Sequence, residues 1–93
     1  MTYAIAHLTI TDLDKFAAYR DVAGEALAKH GGAVASASRE LTAIDGAPAL
    51  HDTVAVLTFP DTQSAQNWIN DPALVDIHAL RRGAGQSDIV VLG

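Results

Sequence analysis

Five side chains in this sequence have the chemistry to act on a small molecule: His7, Tyr19, Trp68, His78 and Arg81. His7 and Tyr19 form a candidate acid/base pair, because a neutral imidazole beside a phenol can move a proton to or from a small carbonyl compound. Arg81 presents a planar, permanently charged fork that can clamp a carboxylate or stabilise an enolate. His78 lies three residues before Arg81 and ten after Trp68, and can act as acid, base or ligand. Trp68 offers flat apolar area to a bound molecule. Each also has a structural reading. A Tyr on a helical apolar stripe is ordinarily core with its hydroxyl at the edge. His78 can be a solvated or capping residue, and Arg81 can compensate its helix dipole or pair with Asp76 or Asp88. His30 suits a helix C-terminus, and His51-Asp52 falls in a loop or strand start. No His-x₃-His or carboxylate pairing points to a metal site, and the glycines read as caps and turns, not as a phosphate loop.

The elements that must position these groups follow from periodicity. Tyr3 to Ile10 reads as a strand with Ala4, Ala6, Leu8 and Ile10 on one face and Tyr3, Ile5, His7 and Thr9 on the other. Thr11 or Asp12 caps a helix that runs to about His30 and stops at Gly31-Gly32. Its apolar stripe is Phe16, Tyr19, Ala23, Ala26 and Leu27. Ala33 to Ile44 is strand-length, although its Ala/Ser alternation has little β-propensity. Asp45 to Asp52 is a loop. Thr53 to Phe59 is the clearest strand, and Pro60 ends it. Asp61 caps a short helix carrying Ala65, Trp68 and Ile69; Asp71-Pro72 starts another. That helix sets Leu74, Ile77, His78 and Arg81 on one side and ends at Gly83 and Gly85. Asp88 to Leu92 is a last strand.

The order β-α-β-β-α-(α)-β is the ferredoxin-like plan, an α+β fold with a four-stranded antiparallel sheet and helices on one face. The first strand and the Thr53 strand are apolar on both faces, so the open face needs a cover, and a second copy of the chain is the simplest. Composition agrees. In 93 residues there are 18 Ala and only five aromatics, so the core of a lone protomer is thin and self-association is expected. A net charge of −5 disfavours nucleic acid as a partner. The absence of Cys excludes disulfides and thiol chemistry. No apolar run approaches the ~18 residues of a membrane span, nothing resembles a signal peptide, and the cytoplasm is the expected compartment.

These residues resemble the DUF1330 family of the dimeric α+β barrel superfamily over nearly the whole chain. The likeness runs through Tyr3-Ala4-Ile5-Ala6, the Thr11-Asp12 cap, Tyr19-Arg20 and Lys29-His30-Gly31-Gly32. It continues through Val54 to Pro60, Ala65, Trp68, Asp71-Pro72, Ala79-Leu80-Arg81 and Ser87 to Val91. Leu74 stands where the family usually has an aromatic, Phe16 where it often has Tyr, and Ala33-Val34-Ala35-Ser36 where a basic, then aromatic segment is usual. If those family residues line a pocket, the pocket here is smaller or chemically different. The resemblance implies the fold and a homodimer, but no reaction. The Trp68-to-His78 spacing also looks like that of haem-degrading monooxygenases of the same superfamily, in which the His ligates haem iron and the Trp ruffles the porphyrin; His7 lies near the position of their first-strand Asn.

Three functions are therefore in play. One is a cofactor-free oxygenase, isomerase or cyclase on a small aromatic or polyketide-like molecule, as in other members of the superfamily. Another is a non-catalytic dimeric module that binds a small ligand or acts as a scaffold. The third is a haem-binding or haem-degrading protein. A cavity of a few hundred Å³ with convergent polar groups is what the first requires.

Overall fold

The structure, a computed structural model, contains β1 (Thr2–Ile10), α1 (Leu13–Ala28), β2 (Ala33–Ser38), β3 (Thr53–Phe59), α2 (Thr62–Asn70), a 3₁₀ turn (Pro72–Leu74), α3 (Val75–Gly83) and β4 (Gly85–Leu92). The sheet order is β2-β3-β1-β4, and every neighbouring pair is antiparallel. This is the expected ferredoxin-like α+β plan.

Local chemistry fixes the helix ends. Asp12 accepts the Lys15 N–H at 3.0 Å, Asp61 the Ser64 N–H at 2.7 Å, and Asp71 the Ala73 N–H at 2.8 Å. Each satisfies a donor that the first turn leaves open. The C-terminus of α1 closes as a Schellman motif, with Gly32 N–H donating to the Leu27 carbonyl at 2.8 Å and Gly31 N–H to Ala28 at 3.0 Å. Gly31 there adopts φ +72°, which a residue with a Cβ resists. Asp71 also accepts from Lys29 Nζ at 2.7 Å and His30 Nε2 at 2.8 Å, tying the end of α1 to the 3₁₀ turn. The bonds from Lys29, then His30, hold its carboxyl well below the usual range.

Two boundaries differ from expectation. β2 ends at Ser38 rather than continuing to Ile44, where Ser38 Oγ and the Glu40 backbone bond each other and turn the chain. β4 begins at Gly85, not Asp88. Gly85 has φ +152°, and a Cβ there would overlap the Thr9 carbonyl of β1. The glycine admits a close approach of two strands.

The helices cover the sheet face carrying Ala4, Leu57 and Phe59, which pack with Ala26, Leu27, Trp68 and Leu74. On the uncovered face Ile5 lies between Val56 of β3 and Val90 of β4, and Tyr3 lies beside Leu92. Tyr3, Val90 and Leu92 are exposed there. No helix is long and apolar enough to cross a membrane.

Candidate functional site

The stripe of α1 does not pack fully. Ala26 and Leu27 are buried, whereas Phe16, Tyr19 and Ala23 are half-exposed, and residues of α1, β1 and β3 border a gap between helix and sheet. A cavity of about 370 Å³ lies in the gap, lined by residues that include Leu8, Phe16, Tyr19, Thr53, Leu57 and Arg81.

Arg81 is the polar centre of this wall. It sits in the last turn of α3 and is only 4% exposed. Its Nε–H donates to Ser87 Oγ at 3.0 Å, and Nη1 donates to His78 Nδ1 at 2.7 Å and, more weakly, to the Tyr19 hydroxyl at 3.4 Å. The guanidinium carbon lies 5.6 Å from the Tyr19 ring centroid and 5.4 Å from that of Trp68. The Lys29–Asp71 ion pair and the His30–Asp71 contact do not involve it. Arg81 thus pairs with neither Asp76 nor Asp88, because its guanidinium turns inward between the rings. It is a buried cation without a counter-charge, and its Nη2 makes no hydrogen bond within the chain.

His78 is 2% exposed, so it is not a solvated helix residue. Arginine can only donate, so Nδ1 must accept from Arg81, and the ring proton resides on Nε2, which donates to the Trp68 carbonyl at 2.9 Å. That carbonyl belongs to the last turn of α2, so His78 caps a neighbouring helix. Burial, and then the charges of Arg81 and Arg82, push its pKa below the usual histidine range, against the opposing pull of the Trp68 bond and Asp71. Trp68 meets the His78 ring edge-on at 4.7 Å and Phe59 at 5.6 Å. It does not line the large cavity; it borders a smaller one of about 100 Å³ with Phe59, Ala65 and Ile89.

Tyr19, His78 and Arg81 therefore converge, and His7 does not join them. Ala6 and Leu8 line the cavity, so the intervening His7 points to the opposite face. There its ring lies 5.1 Å from that of His51, whose Nδ1 is 3.1 Å from Thr9 Oγ1. The His7–Tyr19 acid/base pair does not assemble, because α1 packs on the face that His7 turns away from.

The family described as "Domain of unknown function (DUF1330)" matches residues 1–93. The chain belongs to this family. No curated protein matches the sequence. Among solved structures, the RPA0582 protein of unknown function from Rhodopseudomonas palustris superposes with TM-score 0.75 at 20% identity, over 98% of this chain and 79% of that one. A dimeric ferredoxin-like protein of unknown function from Jannaschia sp. CCS1 gives 0.71 at 10% identity, over 99% and 97%. SnoaB, a cofactor-independent oxygenase from Streptomyces nogalater, solved as a point mutant, gives 0.59 at 11% identity, over 99% and 89%. At these identities the likeness is one of fold.

One residue of this DUF1330 site escapes a reading of the sequence. Thr53 is 6% exposed and lines the cavity, and its hydroxyl has no partner. The signal is its phase, since Thr53 shares the inward face with Ala55, Leu57 and Phe59. Leaving a buried hydroxyl unpaired is unfavourable, and valine has the same shape without that cost. Thr53→Val is expected to raise stability by about 1 kcal/mol, measured by urea denaturation. A lowered midpoint would show that the hydroxyl is bonded after all.

Proposed function

We propose that this DUF1330 protein is a homodimer in which each protomer takes a small, largely apolar organic molecule carrying an oxyanion (carboxylate, phenolate or enolate) into the cavity under α1. The observation that carries this reading is Arg81. A guanidinium held out of water with no carboxylate in reach is unfavourable for the empty protein. A ligand anion supplies the missing charge, and the free Nη2 supplies donors for it. The remaining wall is mostly apolar, which suits a flat or short-chain hydrocarbon body. The dimer is supported by the uncovered apolar sheet face, by the exposed loop residues Ile44 and Leu50, and by the dimeric description of the Jannaschia neighbour.

A cofactor-free reaction in the same pocket is favoured by the Tyr19 hydroxyl beside Arg81. For a ligand that arrives as an enolate, Arg81 would hold the oxyanion and the Tyr19 hydroxyl would give its proton to the carbanionic carbon, the phenol then being restored by a proton from water. The presence of a cofactor-independent oxygenase among the fold neighbours supports this reading. Haem ligation through His78 fits poorly, since both ring nitrogens are already bonded within the chain.

The test is calorimetric titration with a panel of aromatic and short-chain carboxylates, each beside its neutral amide. Wild-type protein is expected to prefer the acids. Arg81→Gln should weaken them roughly 10- to 100-fold, the worth of a charge-assisted hydrogen bond. The same change should leave the melting temperature equal or higher, because it removes an uncompensated buried charge. Acids bound equally well by the variant would overturn the reading. Turnover lost in Tyr19→Phe with binding retained would assign the reaction as well.

A further inference from the structure

We propose that His78 is a positioning residue that aims Arg81 while leaving its positive charge uncancelled, and that this neutral hold is what makes the cavity selective for anions. The inference rests on Arg81 being the ligand anchor.

A buried arginine is usually fixed by a carboxylate, which gives strong bonds and cancels the charge. Here the short bond at Nη1 ends on an imidazole nitrogen at 2.7 Å. The ring that offers it is itself immobile. Its Nε2–H is committed to the Trp68 carbonyl, and Trp68 packs against it edge-on. A two-point hold on the imidazole fixes the tautomer, as the partner of one ring nitrogen dictates the state of the other. Ser87 fixes Nε from the β4 side, and the Tyr19 and Trp68 rings hold the guanidinium between them. Arg81 is thereby oriented by three neutral acceptors, the Tyr19 hydroxyl being the weakest, and two aromatic faces. The charged groups acting on His78 are Arg81 and Arg82 of its own helix and Asp71, the cap of the 3₁₀ turn; Tyr19 of α1 and Ser87 of β4 meet Arg81 through neutral hydroxyls, and Arg20 of α1 borders the same cavity. Burial first, and then two arginines against one carboxylate that is already bonded to Lys29 and His30, keep the imidazole neutral, in line with its lowered pKa. A charged imidazole would also lose the lone pair that holds Nη1.

The experiment is a pair of substitutions with one shape and two charges. Asn and Asp at position 78 each place an oxygen near the present site of Nδ1, and both lose the same ring packing. His78→Asn keeps a neutral acceptor and is expected to bind benzoate within about 5-fold of wild type. His78→Asp cancels the Arg81 charge and is expected to bind benzoate at least about 30-fold more weakly than His78→Asn, while the two bind benzamide alike. Equal benzoate affinity in the two variants overturns the proposal. A second measurement needs neither ligand nor variant: ¹⁵N NMR of the wild-type imidazole at pH 7 should show the neutral Nε2–H tautomer at His78. An Nδ1–H tautomer or an imidazolium overturns it directly. Wild-type protein that takes up no carboxylate overturns the reading of the cavity and the selectivity claim together, whereas the NMR result separately decides how Arg81 is held.

Discussion

Trp68→Ala is expected to cost about 3–5 kcal/mol of stability. The indole is 3% exposed, and Ala65 and Trp68 are the only buried residues of α2, so the ring is the main anchor of that helix to the sheet. Truncation strips contacts from Phe59 and His78 at once. The void would adjoin the cavity of about 100 Å³ that the ring already borders, and a larger unfilled space puts the cost at the upper part of the range. For a chain of this size the melting temperature should fall by roughly 15–30 °C, out of a total stability on the order of 5–15 kcal/mol. The variant should also bind carboxylates poorly, since the wall behind His78 and Arg81 is gone. Urea titration followed by far-ultraviolet circular dichroism measures the first effect. A loss below ~1 kcal/mol would mean that the ring does not secure α2.

What is legible in the sequence, and what is not, has a physical pattern. β3 reads with its observed bounds because Thr53 to Phe59 combines β-branched residues, strict alternation and a Pro stop. The ends of α1 are legible from Asp12 and the glycine pair, which act locally. The grouping of Leu74, His78 and Arg81 follows from helical spacing alone, and all three are buried. β2 reads too long because Ala and Ser carry little preference either way; its pairing with β3 defines it, and that is a tertiary fact. Gly85 reads as a helix terminator, since nothing local reveals that β1 passes so close to it. The largest miss concerns faces. Parity correctly puts His7 opposite Leu8, but β1 is apolar on both sides, and no local signal says which side α1 will cover. The sequence therefore pairs Tyr19 and His7 across a sheet that separates them. The hold of His78 on Arg81 is invisible for a related reason. Three-residue spacing brings the two together, yet only burial turns a helix-surface neighbour into a neutral acceptor.

The uncovered sheet face leads to the other large effect: Ile5→Asp is expected to convert the proposed homodimer to monomer. Ile5 is on a central strand, flanked in register by Val56 and Val90, so in a sheet-on-sheet pairing it falls within the apolar centre of the contact rather than at its rim. A two-fold interface presents the substitution twice, and each carboxylate would lose its water without gaining a partner, a penalty of several kcal/mol per ion after relaxation. A rise in the dimer dissociation constant of at least about 1000-fold is expected, equivalent to roughly 4 kcal/mol. Val90→Asp serves as the companion, because Val90 is 53% exposed in the isolated protomer and a charge there should cost the monomer fold little. Light scattering at micromolar concentration should show about twice the chain mass for wild type and the single-chain mass for both variants, with circular dichroism unchanged for Val90→Asp. The cavity under α1 lies on the other side of the sheet, so a monomeric Val90→Asp that stays folded should still bind carboxylates through Arg81. A wild-type protein that runs as a stable monomer with this face in water would remove the dimer from the proposal and leave the cavity reading to stand alone.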